Sequence, residues 1–467
     1  MIPFFPELIS RKAIICYFVT LVTVSLLFLD RMLPLHWMLF GAVEVCTFFY
    51  FSKDLTIRWL PLRSQTFMKR LFWTALVIRL VYAVFAYFFY DYMTGKPFMF
   101  HSADEITYYD YSGIWVEQGF GEFRKALSHF GVDDMGEFYF TGVLGLVFGH
   151  YVMTARFAHC LLSALTCALI YRIGRRHFSE STARMAGIFC MLMPNLIFYC
   201  GTHLKETDMV FATVLFVDCL DVVFSEQKGD WKAILLALLS GFALFTFRTV
   251  LGAVGVISLI VVAAFSGGKI GSWWKRILLV VVVGFLLAST SLGLRIRSEV
   301  ESAWERRDTN QEMGLEARSN LEGGNRYSRY ASKTIFAPLI FTIPFASLVE
   351  TEGQENQQML HGGNFAKNIL SGFVIYALVL LLLNGEWRKH TLPLAMMLGY
   401  LAVIALSTFA HYERFHQPAL PFELMFAAYG VSQIQRKQVK WIDYWMILIG
   451  LANVAWAWFK LAGRGLV

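Results

Sequence analysis

Long apolar segments follow one another along the chain, and polar residues are confined to the stretches between them. A membrane-spanning helix needs roughly 20 mostly apolar residues, and about thirteen segments meet or approach this length. Their centres lie near residues 21, 42, 80, 163, 191, 215, 240, 257, 285, 375, 400, 426 and 450. The pattern predicts an all-α polytopic membrane protein with about 13 transmembrane helices.

Composition agrees with a membrane protein and argues against nucleic-acid binding. The chain has 467 residues, of which 57% are hydrophobic and 16% charged, and its mean hydropathy is +0.53. Soluble domains carry about 25% charged residues. The net charge of +7 is spread singly between apolar segments and forms no basic face. Membrane topology therefore explains that charge better than a nucleic-acid partner does.

Basic residues mark alternate connections between the predicted spans, and about half of the 41 Lys and Arg residues fall there. Because short positively charged loops stay in the cytoplasm, we expect a cytoplasmic N-terminus in the bacterial inner (plasma) membrane. The seven cysteines lie in apolar segments, so no structural disulfide is expected. The apolar run from Ala13 to Leu29 precedes Asp30 and Arg31 rather than a small-residue cleavage site, so no cleavable signal peptide is expected.

Two long exported loops follow from this orientation. Residues 91–151 carry nine acidic and three basic residues, as expected of an exported segment. Within them, the apolar stretch 138–152 is short and rich in glycine, which favours a position at the membrane interface over a span. The second loop, residues 295–365, contains an apolar run interrupted by Pro338 and Pro344. We interpret that run as re-entrant or resting on the membrane.

The chain then divides into four parts. Residues 1–70 form an N-terminal addition of two spans, and residues 71–294 form a transmembrane core that includes the first exported loop. Residues 295–365 form the second exported loop, and residues 366–467 form a C-terminal transmembrane bundle.

The first exported loop contains a candidate catalytic helix. Ser102 followed three residues later by Glu105 is a capping box, which predicts that a helix begins here. At 3.6 residues per turn, Asp104, Tyr108 and Trp115 share one face. The pattern therefore places an acid at the tip of an aromatic helix. Alternatively, Glu105 only closes the cap and Asp104 only complements the helix dipole.

The order of several motifs resembles the GT-C class of polyprenyl-phosphate-sugar glycosyltransferases, and most of all family 39, the protein O-mannosyltransferases and lipid A aminoarabinose transferases. The similar stretches fall roughly within residues 71–265 and 391–435: Asp104-Glu105 with its Tyr-rich helix, Arg156, Arg172-Ile173-Gly174-Arg175-Arg176-His177-Phe178, Pro194, His203-Leu204-Lys205-Glu206, Arg414-Phe415-His416-Gln417-Pro418-Ala419-Leu420-Pro421-Phe422 and Ala427-Ala428-Tyr429-Gly430. Each motif alone has low specificity, and their order carries the resemblance. Members often place a Lys or a His-Pro-Pro motif before the second interfacial helix, whereas residues 136–142 contain no cation.

The resemblance implies a GT-C-like fold and a membrane glycosyltransferase that moves a sugar from a polyprenyl-phosphate-linked donor to a lipid, glycan or protein acceptor on the exported side. It implies inversion with Asp104 as general base, and Glu105 is the second catalytic candidate. A phosphate leaving group needs little protonation, so the reaction requires a base for the acceptor hydroxyl and cations for the phosphate. The expected partners are that donor, that acceptor and membrane lipid, without nucleic acid.

Cations at the exported ends of predicted spans are the candidates for donor binding. Lys205 lies between apolar segments, Arg248 interrupts a continuous apolar run, and His411 and Arg414 cluster before Pro418. Arg414 is the best phosphate candidate because a guanidinium contacts two phosphate oxygens at once. The alternatives are an interfacial salt bridge for Lys205, a snorkelling turn residue for Arg248 and a positive stop for Arg414.

Tyr108 and Arg326 are further candidate contacts to the substrate, although a solvated surface explains Arg326 equally well. No tight spacing of His or carboxylate residues is evident, so no metal ligand is expected and no cofactor is required, although a divalent metal stays possible. Glu44 and Arg79 are costly in lipid, and a structural pair between neighbouring helices is the expected explanation.

Two other functions stay open. An O-antigen polymerase or ligase fits the long second exported loop, but it gives no role to the acidic first loop. A lipid or solute transporter would line a path with intramembrane charges such as Glu44, Arg79 and Asp218, but no inverted repeat is visible. Neither the sugar nor the acceptor can be read from the residues.

Overall fold

Helices account for nearly all of the part of the chain that the structure describes. The computed structural model describes residues 2–225, 231–265, 298, 301, 337–407, 410–435 and 439–466. Within these ranges, β-type pairing is limited to one isolated antiparallel bridge between Met32 and Val349. The predicted all-α class is therefore confirmed for the described residues.

The helices fall into three groups along the chain. Before residue 150 they are α1 (Glu7–Leu27), α2 (Leu35–Arg58), α3 (Ser64–Thr94), α4 (Ala103–Gln118), α5 (Phe120–Ala126) and α6 (Val132–Phe148). Then follow α7 (Val152–His177), α8 (Glu180–Leu192), α9 (Pro194–Cys200), α10 (Glu206–Ser225), α11 (Trp231–Phe247) and α12 (Thr249–Phe265). The C-terminal group is α13 (Glu355–Met359), α14 (His361–Leu383), α15 (Thr391–Ala405), α16 (Glu413–His416), α17 (Leu420–Ser432) and α18 (Val439–Ala462).

Six helices of the described chain are long and apolar enough to cross a membrane, and a seventh span exists if the bent pair α8 and α9 counts as one. The six are α1, α2, α3, α7, α14 and α18. The predicted count of about 13 is not confirmed. Helices α11 and α12 are apolar but have 17 residues each, α15 and α17 are shorter still, and α10 carries several acidic residues. The predicted span near residue 285 lies outside the described residues.

Helix α3 has an exposed apolar face and a buried face that contains a charged residue. The buried face contains Phe67, Leu71, Ala75, Arg79, Ala83, Ala86 and Tyr90 at helical spacing, while the opposite face exposes Trp73, Val77, Val81 and Phe88. Lipid rather than water solvates such an exposed apolar face. Arg79 points inward, where its guanidinium donates to Ser163 Oγ (2.6 Å), Cys190 O (3.1 Å) and Met191 O (3.2 Å).

The expected pair between Glu44 and Arg79 is wrong. Glu44 Oε2 instead accepts a hydrogen bond from the backbone N–H of Gly363, at 2.9 Å. The two backbones approach closely here, since a Cβ on Gly362 would lie 2.5 Å from the Gly41 carbonyl oxygen. Small residues at such a crossing allow a polar side chain to reach the neighbouring backbone. Helix α2 of the N-terminal part is thereby joined to α14.

Most of the described end of the second loop, residues 340–349, is packed inside the protein. Its carbonyl groups at Ile343 and Pro344 accept from Lys367 Nζ (2.8 Å) and Asn368 Nδ2 (2.9 Å) on α14, and its Ala346 N–H donates to Asn453 Oδ1 (2.8 Å) on α18. Irregular backbone is tolerated at membrane depth only where protein groups satisfy it. No helix of spanning length occurs between residues 337 and 350, and the position of this run as re-entrant or resting on the membrane stays a prediction.

Topology yields a direct prediction. Ser128 and Glu352 lie at the end of the bundle that holds α4 to α6, while Lys389 lies at the opposite end, and all three residues are exposed. We expect Ser128→Cys and Glu352→Cys to react with an impermeant thiol reagent added to intact cells, and Lys389→Cys to react only after lysis, because the basic loops mark the cytoplasmic side. The parent chain is the blank, since its cysteines are buried or half-buried. Labelling of Lys389→Cys in intact cells would reverse the orientation.

Candidate active site

The N-terminus of α4 separates the two predicted acids into different environments. Ser102 Oγ accepts the Glu105 N–H at 3.3 Å, so the predicted helix start is confirmed. The Glu105 side chain does not return to the cap. It is fully buried, accepts from the backbone N–H groups of Met99 (2.6 Å) and His203, and lies 3.8 Å from Arg156 Nη2. The Asp104 side chain is 54% exposed.

Arg414 joins two carboxylates at this end of the bundle. Its Nη1 lies 2.5 Å from Asp104 Oδ2, and its Nε donates to Glu206 Oε1. The Glu206 side chain is fully buried, whereas a quarter of the Arg414 side chain is exposed. Burial alone would lower the pKa of Arg414, but Glu206 and Asp104 raise it above its ordinary value. The guanidinium is therefore fixed in position and permanently charged.

Lys205 forms the second cationic contact, with a carboxylate that the sequence did not single out. Its Nζ pairs with Asp134 Oδ1 at the start of α6, and the same oxygen accepts from Tyr108 Oη at 2.6 Å. Burial opposes ionisation of Asp134, but the nearby Lys205, Tyr108 and Arg414 lower its pKa below the ordinary value. Tyr108 thus orients a carboxylate rather than standing free for a substrate.

Arg248 supplies the third cation. It lies between α11 and α12, and its Nη1 donates to Tyr400 Oη at 3.1 Å. The guanidinium lies 4.4 Å from the centre of the Phe415 ring, and Nη2 lies 4.0 Å from Glu206 Oε1. The Phe415 ring and the Glu206 carboxylate both stabilise the positive charge of Arg248. The side chain is therefore not a snorkelling turn residue but part of the same cluster.

The three cations and three carboxylates come from segments that are far apart in sequence. Asp104, Asp134, Lys205, Glu206, Arg248 and Arg414 stand at helix ends or turns on one side of the bundle. The opposite end of α10 has its own ionic group, in which Asp218 and Asp221 pair with Arg176. Asp218 and Asp221 lie three to four helical turns after Glu206 on α10, so the two groups are about 20 Å apart along the helix axis at a rise of about 1.5 Å per residue.

The structure brings most of the predicted site residues together and leaves others apart. Asp104, Tyr108, Lys205, Arg248 and Arg414 meet in one cluster. His411 is half-buried and packs against the Tyr412 ring at 4.2 Å. Glu105 supports the backbone beneath the cluster. The candidate Arg326 lies outside the described residues.

Sequence reasoning missed Asp134 and Glu206 as members of the cluster. Asp134 lies at the start of a helix predicted to be exported, and because acids are common in the first turn of a helix, the residue did not stand out. Glu206 was considered only as a neighbour of Lys205, although it contacts Arg414, more than 200 residues away. Contacts over such separations leave no local pattern.

A second group of buried ionisable side chains lies next to this cluster. Glu137 on α6, His159 on α7 and Asp208 on α10 place possible metal-ligand atoms within 4.8 Å of one another. Burial and the Asp208 carboxylate raise the pKa of Glu137 well above its usual range. The expectation that no ligand set exists rested on local spacing, and these three residues come from three different helices.

Comparison with known proteins supports the class that the site geometry indicates. Residues 135–293 match the family model described as dolichyl-phosphate-mannose-protein mannosyltransferase. That match spans about a third of the chain and includes Lys205, Glu206 and Arg248. The predicted resemblance to polyprenyl-phosphate-sugar glycosyltransferases is therefore confirmed.

Among solved structures, the chain is similar to an oligosaccharyltransferase from Archaeoglobus fulgidus. The match to a crystal structure of that protein in complex with Zn and sulfate has 14% sequence identity and a TM-score of 0.46. It covers 84% of this chain and 53% of the archaeal chain. The match to the same archaeal enzyme in complex with an inhibitory peptide and a dolichol-phosphate has 13% sequence identity and a TM-score of 0.42. It covers 85% of this chain and 56% of the archaeal chain. The chain thus spans about half the length of these structures. No curated protein matches the sequence significantly.

Proposed function

We propose that this protein transfers a sugar from a polyprenyl-phosphate-linked donor to a hydroxyl group of an acceptor on the exported side of the membrane. One observation carries the proposal. An exposed carboxylate, Asp104, and a fixed guanidinium, Arg414, lie in contact within a cluster of three cations at one end of a membrane bundle. A base beside a phosphate-binding cation is the pair that this reaction needs.

The reaction is a single displacement with Asp104 as general base. The acceptor oxygen attacks the anomeric carbon while its proton passes to the Asp104 carboxylate. The bond between that carbon and the phosphate oxygen breaks, and the electron pair leaves with the polyprenyl phosphate. Attack from the face opposite to the leaving group inverts the configuration at the anomeric carbon. No general acid is required, because a phosphate leaves as an anion.

Arg414 connects donor binding to the state of the base. Its guanidinium contacts Asp104 at 2.5 Å through Nη1 and the buried Glu206 through Nε. A donor phosphate competes with Asp104, the more exposed of these partners, for the same guanidinium. Donor binding therefore releases the Asp104 carboxylate to accept a proton, while Glu206 keeps Arg414 in place. Lys205 and Arg248 add positive charge on either side.

Aromatic residues around the loop helices suit a position at the membrane surface. Phe120, Tyr139 and Tyr151 are exposed by 48%, 37% and 70%. Trp115 stacks on Phe123 with ring centres 4.8 Å apart, which fixes α4 against α5. Aromatic side chains are enriched at the level of lipid headgroups. This position supports the proposal that the cluster binds the phosphate of a lipid-linked sugar.

The alternative of a transporter has no support in the described residues. The charges that would line a path are each used in structural contacts: Glu44 with the Gly363 N–H, Arg79 with backbone carbonyls, and Asp218 with Arg172 and Arg176. The long second loop, which fits a polymerase or ligase, lies mostly outside the described residues. No contact within the described part of the chain favours that function.

Mass spectrometry of glycolipids and glycoproteins tests the proposed function in cells. Deleting the gene should remove one sugar from a single glycan class, and the parent gene should restore it, while a gene carrying Asp104→Asn should not. The class that changes identifies the acceptor. Unchanged glycans together with altered uptake of a solute would contradict the proposal and favour transport.

A further inference from the structure

The buried group formed by Glu137, His159 and Asp208 differs in kind from the candidate active site. All three residues are buried, with exposed fractions of 0%, 0% and 3%. His159 Nε2 lies 2.9 Å from Asp208 Oδ2 and 3.8 Å from Glu137 Oε1. Two carboxylates therefore lie next to one imidazole nitrogen at a position with almost no exposure to bulk solvent.

Hydrogen bonding selects the nitrogen that faces the carboxylates. His159 Nδ1 lies 3.0 Å from the Thr202 carbonyl oxygen, which can only accept, so Nδ1 carries the proton. Nε2 is then the atom available to a ligand. A backbone carbonyl that fixes the opposite ring nitrogen in this way is the usual partner of a metal-bound histidine.

The carboxylates lack other partners. Apart from the contact between Asp208 Oδ2 and His159 Nε2, the side-chain oxygens of Glu137 and Asp208 are buried and have no hydrogen-bond partner outside this group within the described part of the chain. Even a protonated His159 would balance only one of the two negative charges. An unpaired buried carboxylate is costly, so the group favours either a further positive charge or a proton held between the two carboxylates. A divalent cation supplies both charges at one point.

We infer that Glu137, His159 and Asp208 form a binding site for one divalent transition-metal ion. A mixed set of one imidazole nitrogen and two carboxylate oxygens suits Zn²⁺, which accepts nitrogen and oxygen ligands in a four-coordinate site. Calcium takes six to eight oxygen ligands, and magnesium keeps several waters, so neither suits a buried site with so few ligands.

The metal has a positioning role. It joins α6, α7 and α10 at their ends nearest the candidate active site. Glu137 lies one helical turn after Asp134, and Asp208 lies two residues after Glu206. A tie between these helices fixes the distance between the Lys205–Asp134 pair and the Arg414–Glu206 pair. The inference depends on this geometry alone and stands independently of the proposed function.

Metal analysis of the full-length protein purified in detergent tests the site. After chelation and reloading with Zn²⁺ followed by desalting, we expect about one zinc per chain by mass spectrometry, as for a single three-residue site. His159→Ala and Asp208→Asn should each weaken zinc binding by at least about 10–100-fold, the loss known even for indirect partners of a metal. Asp218→Asn is the matched control, because Asp218 is a buried carboxylate on the same helix that pairs with arginines, and it should keep the zinc.

A second measurement avoids variants that fail to fold. The parent chain loaded with Co²⁺ should show the visible absorption of a low-coordinate cobalt site, and Zn²⁺ should abolish it by displacement. Zinc should also raise the midpoint of thermal unfolding of the parent chain but not of Asp208→Asn. Absence of stoichiometric zinc and of the cobalt absorption in the parent chain would mean that the group holds a proton instead, and would overturn the inference. Zinc binding by Asp208→Asn at parental affinity would do the same.

Discussion

Replacing Asp104 by Asn is expected to slow sugar transfer to a hydroxyl acceptor by roughly 10²–10⁴-fold, the share usual for general base catalysis. Asn keeps the size of the side chain but cannot accept the proton. Because the side chain is 54% exposed, the substitution leaves the packing of α4 unchanged. The measurement is the rate of product formation at saturating donor, with expression and donor binding followed in parallel.

Asp110→Asn is the matched control, since Asp110 is an exposed acid on the same helix and the change in charge is identical. It should transfer sugar at the parental rate. Glu105→Gln is not a neutral control, because both Glu105 oxygens accept backbone N–H groups and an amide would oppose one of them with its own donors. A folded Asp104→Asn protein that glycosylates a hydroxyl acceptor at the parental rate would contradict the role of Asp104 as general base.

Arg414→Ala should have the second-largest effect, on donor binding and on stability together. Loss of a hydrogen-bonded cation at the phosphate should weaken donor binding by about 1.5–3 kcal/mol. The fully buried Glu206 would also lose its closest positive charge, and breaking a buried pair costs about 3–5 kcal/mol. Arg414→Lys should recover only part of the affinity, because lysine lacks the planar fork.

Combining Arg414→Ala with Glu206→Gln separates the two effects. The double variant removes the uncompensated carboxylate, so its thermal midpoint in detergent should rise above that of Arg414→Ala, while donor binding stays weak. Arg388→Ala, an exposed arginine at the opposite end of the bundle, serves as the control and should change neither quantity. Parental donor affinity in Arg414→Ala would remove this residue from the phosphate site and leave Lys205 and Arg248 as the candidates.

The sequence was sufficient for features that repeat locally. Apolar segments of spanning length predicted the helical membrane class, and the Ser102 capping box located the first turn of α4. Cations at the exported ends of predicted spans, such as Lys205 and Arg248, were recognisable because they border or interrupt apolar segments. Those residues were found without knowledge of their partners.

Features that depend on tertiary contacts could not be predicted. Asp134 and Glu206 were inconspicuous alone, and the three possible metal ligands come from three helices. Glu44 and Arg79 were expected to pair because both are charged in lipid, but backbone groups satisfy each of them separately. The count of about 13 spans is not confirmed, because apolar length alone does not distinguish a full span from a short buried helix.

Release of the lipid carrier tests the central claim most directly. Purified protein in detergent is incubated with a lipid extract from its own cells and a hydroxyl-bearing acceptor fraction, and the carrier and product are followed by mass spectrometry. We expect polyprenyl monophosphate to appear in the same amount as glycosylated product, and neither to form with Asp104→Asn. Release of polyprenyl pyrophosphate, or product formation that is unchanged in Asp104→Asn, would contradict the claim.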